Sequence, residues 1–366
     1  MTWQTKKLDE VLKLEYGKPL AKSKRKQGGL YPVYGANGIK NRSDVFYFDR
    51  SSVIVGRKGS VGELHLSEEK FWPLDVAYFV PFDDRKYDLN FIYYLLSNLE
   101  LPKLAKGVKP GLNRNEVYSI SVKIPPIPEQ KRIVKILDEV FENTEKAKEN
   151  AEKNLKNAKE LFESYLQNVF ANPGKDWEEK SLEELGQITS SKRIYKKEYV
   201  SDGIPFYRIK EIKELAHDKN ITLELYISIK RYKEIKDVFG VPAVGTIGEI
   251  YVVKDNVEFY FKDGNILWFK NFNSVDPYFL KFVLMSFVEQ INKLSQGSAY
   301  SALTIEKIEK HKIFLPKSLT EQKTTVKKLD TLSEQTKKLE GVYKQKLADL
   351  EELKKSVLNK AFSGGL

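Results

Sequence analysis

Two stretches of this chain are one long helical segment written twice. From Glu129 the sequence runs EQKRIVKILDEV, and from Glu321 it runs EQKTTVKKLDTL; the offset of 192 residues holds without a gap for about forty residues. Along it Gln130 matches Gln322, Lys131 matches Lys323, Val134 matches Val326, Leu137 matches Leu329, Leu155 matches Leu347 and Phe170 matches Phe362. A period this long is far beyond that of a solenoid repeat, so the chain is read as a duplicated domain.

The flanking segments correspond more loosely. WQTKKLDEV from Trp3 resembles WEEKSLEEL from Trp177, with the spacing of tryptophan to leucine kept. Tyr31-Pro32-Val33-Tyr34 resembles Ile204-Pro205-Phe206-Tyr207, and Gly59-Ser60-Val61-Gly62-Glu63-Leu64 resembles Gly245-Thr246-Ile247-Gly248-Glu249-Ile250. Between these points the halves diverge. The boundaries that follow are a globular domain over 1–125, a helical spacer over 126–172, a second globular domain over 173–316 and a second helical spacer over 317–366.

Glu129 to Ala171 contains neither proline nor glycine. Ile133, Leu137, Val140, Thr144, Ala147, Ala151, Leu155, Ala158, Phe162, Tyr165 and Val169 recur in steps of three and four, which traces one face of a helix. The second copy carries Val326, Leu329, Leu332, Thr336, Leu339, Tyr343, Leu347, Leu350, Leu353 and Val357, bulkier where the first copy is alanine-rich. Large against small residues suits two helices packed on each other. Pro128 and Thr320 mark the starts, Pro173-Gly174 and Gly364-Gly365 the ends. The expected architecture is α+β: two similar globular domains separated by two long antiparallel helices with pseudo-twofold symmetry.

In the globular halves, 52–55 and 61–66 read as strands around the turn Gly56-Arg57-Lys58-Gly59, and 247–253 and 258–261 as strands flanking Lys254-Asp255-Asn256. Phe91 to Leu96 and Tyr278 to Phe287 read as helices with one apolar face.

Catalytic constellations are missing. His65, His217 and His311 have no clustered partners, and a chain with no cysteine offers no thiolate metal site or thiol nucleophile. There is no Gly-x-x-x-x-Gly-Lys-Ser/Thr loop for ATP. The Pro-Pro of Ile124-Pro125-Pro126-Ile127 lacks the preceding amide or acid and following aromatic of an amino-methyltransferase, and reads as a stiff lead into the helix. Zero cysteine fits a reducing cytoplasm. No apolar stretch suits a membrane span, and the N-terminus has no apolar signal core.

Basic and polar loops remain, in both halves. A net charge of +11 favours a polyanionic partner. Lys22, Ser23, Lys24 and Arg25 lie about twenty residues into the first half, and Ser190, Ser191, Lys192 and Arg193 at similar depth in the second. Tyr34 and Asn37 lie in a Gly/Asn-rich loop whose counterpart holds Tyr207, Arg208 and Lys210. Lys106, Lys109, Asn113 and Arg114 answer to a stretch with Ser298, Tyr300 and Ser301; Arg57 and Lys58 sit on the tight turn. Arginine and asparagine discriminate bases through bidentate contacts, while lysine and hydroxyl groups serve phosphates. These are the candidate DNA-binding residues, with no catalytic or metal-binding residue among them.

The order domain–helix–domain–helix, the Trp-x4-Leu openings, the Pro-x-Tyr loops, and above all Pro125-Pro126-Ile127-Pro128-Glu129-Gln130-Lys131 with Leu319-Thr320-Glu321-Gln322-Lys323 resemble the specificity subunit of type I restriction–modification enzymes. The departure from that pattern is a longer approach to the second helix, over 313–319. The resemblance implies a non-catalytic subunit in which each globular domain reads one half of a split target in double-stranded DNA. It further implies that the helices set the spacing and dock two methyltransferase subunits, with motor–nuclease subunits outside. S-adenosylmethionine, ATP and magnesium would then belong to those partners, and methylation of adenine and ATP-dependent cleavage to the whole complex. The alternatives are the recognition subunit of a related type II-like system, a coiled-coil scaffold without a DNA role, and an enzyme on one globular half. The last lacks an acid–base–nucleophile set.

If the helices act as a ruler, four residues inserted near Asn154 add about 6 Å of helix and rotate the stripe by only about 40°. The expected outcome is unchanged half-site sequences with a spacer longer by at most roughly two base pairs, at about 3.4 Å each. Methylation mapping of an active complex carrying the insertion measures it; an unaltered spacer would remove the ruler.

Overall fold

The computed structural model describes residues 3–105, 110–190, 192–216, 225–235, 243–246, 249–252, 258–261, 267–270, 274–294 and 305–366. The chain divides into two compact units, Met1–Glu152 with Lys344–Leu366, and Lys153–Tyr343. Each unit therefore takes a segment from each long helix. The helices run Ile127–Ala171 and Leu319–Ser363, so Pro128 and Thr320 lie in their first turns.

In the first unit, a four-stranded antiparallel sheet has the order Glu15–Tyr16, Ala77–Phe79, Ser52–Gly56, Leu64–Ser67. A second sheet places Tyr31–Gly35 between Gly38–Ser43, antiparallel, and Trp72–Pro73, parallel. The turn joining its first two strands requires a left-handed residue, supplied by Gly38 at φ +94°. Strand Gln4–Lys7 pairs with Ser121–Ile124, immediately before the first long helix.

The second unit repeats this plan. Its antiparallel sheet has the order Gln187–Ser190, Leu267–Lys270, Ala243–Thr246, Glu249–Tyr251. Strand Ile204–Tyr207 is flanked by Tyr226–Ile227, antiparallel, and Tyr260–Phe261, parallel. Trp177–Ser181 pairs with Lys312–Pro316 just ahead of the second long helix. The two strands read from sequence on either side of 254–256 thus belong to different sheets and do not pair with each other. Strands 52–56 and 64–67 do form the expected hairpin, and helices Leu89–Asn98 and Pro277–Leu294 stand where expected.

The tryptophan–leucine openings have a structural reason. Leu8 and Leu182 are fully buried, and their amides donate to Ile120 O and His311 O at 2.9 and 3.1 Å. The repeated glutamine has a stronger one. Gln130 is fully buried; its Oε1 accepts from Asp88 N at 2.9 Å, and its Nε2 donates to Lys86 O and Pro125 O at 3.0 and 2.9 Å. Gln322, equally buried, accepts from Asp276 N at 2.7 Å and donates to Ser274 O and Pro316 O at 3.0 and 2.9 Å. The longer approach to the second helix is absorbed here, because the glutamine reaches back six residues to Pro316 and five to Pro125. Asp88 and Asp276 in turn cap their helices, with side chains accepting from Phe91 N and Phe279 N.

The matched phenylalanines close each unit from the other helix. Phe362 packs on Phe91 at 5.3 Å between ring centroids, and Phe170 on Phe279 at 5.6 Å. The first unit thus joins the beginning of the first long helix to the end of the second. There Lys148–Glu351 and Lys354–Glu145 pair at 3.0 and 2.6 Å, so the two segments run antiparallel. Thr144 and Thr336, matched in the repeat and buried, satisfy their hydroxyls on the carbonyls of Val140 and Leu332. The apolar stripe is narrower than its spacing indicates. Tyr165, Leu339 and Leu353 are exposed, and Leu166 is buried in place of its neighbour. Fixed steps of three and four drift from the 3.6-residue period over so long a helix.

Replacing Gln130 by leucine leaves one amide and two carbonyls without partners, at about 1–3 kcal/mol for each group that stays buried. The expected result is a first unit destabilised by about 3 kcal/mol, read by thermal unfolding, with faster hydrogen exchange at 86–91. Gln322→Leu moves the same loss to 274–279. A Gln130→Leu protein melting with wild type would show that the clamp contributes nothing.

Candidate nucleic-acid interface

In the first unit the structure draws four of the sequence-selected residues together. Arg57 and Lys58 follow strand Ser52–Gly56; their amides donate to Val76 O at 2.9 and 3.1 Å. Arg57 O accepts from Leu112 N at 3.0 Å, and Lys58 bridges to Gly111, tying this turn to the loop carrying Asn113 and Arg114. Asn113 Oδ1 accepts from Asn115 N at 3.0 Å and fixes the start of the short helix Arg114–Tyr118. The Gly-x-x-Gly of the turn has a steric basis at Gly62: its φ is +76°, and a Cβ would lie 2.6 Å from Pro102 N.

The centre of this group is a residue the sequence reading missed. Tyr16 ends an edge strand and stays 41% exposed, with the guanidinium of Arg57 4.7 Å and that of Arg114 4.8 Å from its ring centroid. Beneath it lies Tyr78, at 5.1 Å and fully packed, whose hydroxyl donates to Leu112 O at 3.1 Å. Burial first, then the bond and charge of Tyr16, push the Tyr78 hydroxyl up to about 12, against the pull of both arginines. No motif marks Tyr16; only strand pairing opposite Tyr78 places it there.

Other first-unit candidates are scattered. Lys22, Ser23 and Lys24 form an exposed 3-10 turn, while Arg25 folds back to donate to Leu20 O at 3.0 and 2.6 Å. Asn37 is exposed at the tip of the hairpin. Tyr34 is in the core, not in a loop: it belongs to strand Tyr31–Gly35, its ring meets Phe71 edge-on at 5.7 Å, and its hydroxyl donates to Leu66 O at 3.2 Å. A ring so placed has no face left for a ligand.

In the second unit, Ser190, Lys192 and Arg193 are exposed, and Lys192 N donates to the Tyr260 hydroxyl at 2.9 Å. Tyr207 ends a strand, half-buried against Phe259 and Phe261. Here the units differ. Where the first turns tightly at Asn37, the second enters a helix, Ile209–Ala216, which carries exposed Lys210. Arg208 just before it is gripped by Glu211, with its Nε 3.0 Å from Oε2 and its amide 2.8 Å from the same oxygen. Lys106, Lys109, Ser191, Ser298, Tyr300 and Ser301 lie outside the described residues, as does His217. Among the described residues no group of three His, Asp or Glu side chains comes together as a metal site, and no helix is long and apolar enough to cross a membrane.

Burial pushes the Glu211 carboxyl up, but hydrogen bonds from the Arg208 side chain and backbone outweigh it and hold it below the ordinary carboxylate value. Its contribution is therefore present above the unfolded carboxyl value and lost as pH falls through the lowered one. Arg208→Met strands a buried carboxylate; the expected cost is about 1–3 kcal/mol at neutral pH, reduced because the arginine is partly exposed. That difference from wild type shrinks on acidification. Denaturant titrations at neutral and acidic pH measure it, and a pH-independent difference would contradict the assignment.

The profile of the type I restriction modification DNA specificity domain matches the chain twice, over residues 1–156 and 174–351. S.HindORF215P of Haemophilus influenzae, named as a type I restriction enzyme specificity subunit, is 28% identical over 355 residues, covering 89% of this chain and 86% of that protein. The MjaVIII specificity subunit of Methanocaldococcus jannaschii is 23% identical over 401 residues, covering 99% and 92%. Among solved structures, a chain from a study of assembly and conformational transition of the type I R-M system superposes with a TM-score of 0.78 at 18% identity, over 100% of this chain and 98% of that one. The HsdS subunit of Thermoanaerobacter tengcongensis superposes at 0.65 and 17% identity, over 100% and 97%. With two matching domains on one repeated scaffold, the chain belongs to the family of type I restriction–modification DNA specificity proteins.

Proposed function

We propose that this chain is the DNA-recognition subunit of a type I restriction–modification complex, each globular domain reading one half of a bipartite target. The observation that carries this reading is the contrast between scaffold and loops. Strand order, leucine openings and glutamine clamps are shared by the two units, whereas the exposed polar segments differ, a tight turn at Asn37 in one and a helix behind Arg208 in the other. Two unlike reading surfaces on one framework suit two unlike half-sites.

In this reading the long helices set the distance between half-sites and dock two methyltransferase subunits. Leu339, Val342 and Leu353, exposed on the second long helix, supply apolar surface suited to protein partners. Motor–nuclease subunits complete the complex. The methyl donor S-adenosylmethionine, ATP and magnesium belong to these partners, and the chain itself turns over nothing. The complex works in the cytoplasm.

Methylation mapping of complexes assembled with the methyltransferase subunit tests the division of labour. Asn37→Ala is expected to relax only the half-site read by the first domain, and Lys192→Gln to weaken only engagement of the second. A base-reading contact carries about 1–3 kcal/mol of discrimination. Equal relaxation of both half-sites by either substitution would refute the modular reading, as would methyl transfer by the rigorously purified single chain.

A further inference from the structure

Two guanidinium groups share one exposed aromatic ring, and among the described residues no carboxylate pairs with either of them. Like charges gathered this closely repel, and the negative face of the ring offsets that repulsion only in part. The arrangement is built, not incidental. Arg57 is held by its backbone bonds to Val76 and Leu112 and by its Nη1 donating to Asp75 O at 2.8 Å. Arg114 is held by the capped start of its helix, and the ring by Tyr78 beneath it. The Arg57 guanidinium also lies 5.8 Å from the Tyr78 ring. Among the described residues, each arginine keeps part of its hydrogen-bonding fork unused.

We propose that Tyr16 is a positioning residue that holds Arg57 and Arg114 as a paired-cation clamp for two phosphates of one DNA strand. The inference rests on the DNA-reading function proposed above and adds to it a specific backbone contact. With both charges about 5 Å from one centroid, they lie within about 10 Å of each other, close enough to reach two neighbouring phosphates of one strand, which are set apart by about 3.4 Å of axial rise and by the turn around the helix. Stacking fixes the spacing before DNA arrives, so the loss of side-chain freedom on binding is smaller. Phosphate, not base, is the favoured target, because Arg57 has already given Nη1 to a carbonyl and is left with less of the fork that bidentate base reading needs.

The test uses the full chain and a fluorescent 30-base-pair duplex of random sequence, with affinity measured by anisotropy across a salt series. Arg57→Gln and Arg114→Gln are each expected to lower the slope of log affinity against log salt by about 0.9, and the double substitution by about twice that. Tyr16→Leu is expected to weaken binding about tenfold, and Tyr16→Phe, which keeps the ring, to match wild type. In the Arg57→Gln/Arg114→Gln background, Tyr16→Leu should have no further effect, which separates positioning from a general loss of structure. The clamp is overturned if Tyr16→Leu binds like wild type, if its loss persists undiminished in that background, or if neither arginine changes the slope. Failure of these variants on a chain that still binds DNA with a steep salt dependence leaves DNA reading standing. Absence of wild-type binding to the duplex at low salt overturns both.

Discussion

The structure depends on one buried side chain used twice. Gln130 and Gln322 each hold the strand exit, the start of a long helix and the loop ahead of a globular helix in a single three-bond junction. A glutamine suits this place because its amide both donates and accepts. Glutamate would set a charge against two carbonyls, and leucine would leave three polar groups dry. The neighbouring Asp88 and Asp276 extend the junction, since each offers its amide to the glutamine and its carboxylate to the helix it caps. In this way the direction of a long helix is tied to the domain that precedes it by hydrogen bonds, and not by apolar packing alone.

Phe91–Phe362 and Phe170–Phe279 give each unit a second attachment, from the end of the other long helix. Loops of a unit fixed at both points are free to change without disturbing the frame. The contrast between the hairpin turn at Asn37 and the Arg208–Glu211 helix start shows that freedom in use. It also shows two settings for arginine. Glu211 neutralises and holds Arg208, whereas the guanidinium groups of Arg57 and Arg114 both lie over the Tyr16 ring, and among the described residues no carboxylate pairs with either.

The duplication, the two long helices and their starts were legible because they rest on local, periodic signals: a repeat offset, the absence of proline and glycine, and steps of three and four residues. The globular halves were legible only as strands and helices. Pairing of Ile204–Tyr207 with Tyr260–Phe261, across a parallel register and more than fifty residues, leaves no trace in sequence. Tyr34 was misplaced in a loop because Gly35, Asn37 and Gly38 beside it signal a turn, and a residue one step away can already be strand and core. Exposure of Leu339 and Leu353 was likewise hidden, since helical spacing gives a face but not what covers it.

By itself, then, the sequence determined that one domain occurs twice, that long helices follow each copy, and that basic and polar residues stand at related places in both halves. Those properties are carried by residue type and spacing along the chain. Only the tertiary structure decided why the repeated glutamine is there, which basic residues stand together, and that Tyr16 lies between two of them. These depend on contacts such as Tyr16 with Arg114 and Gln130 with Lys86, between residues far apart in the chain that a particular sheet order brings together. Proximity of that kind is a property of the fold, and no local pattern encodes it.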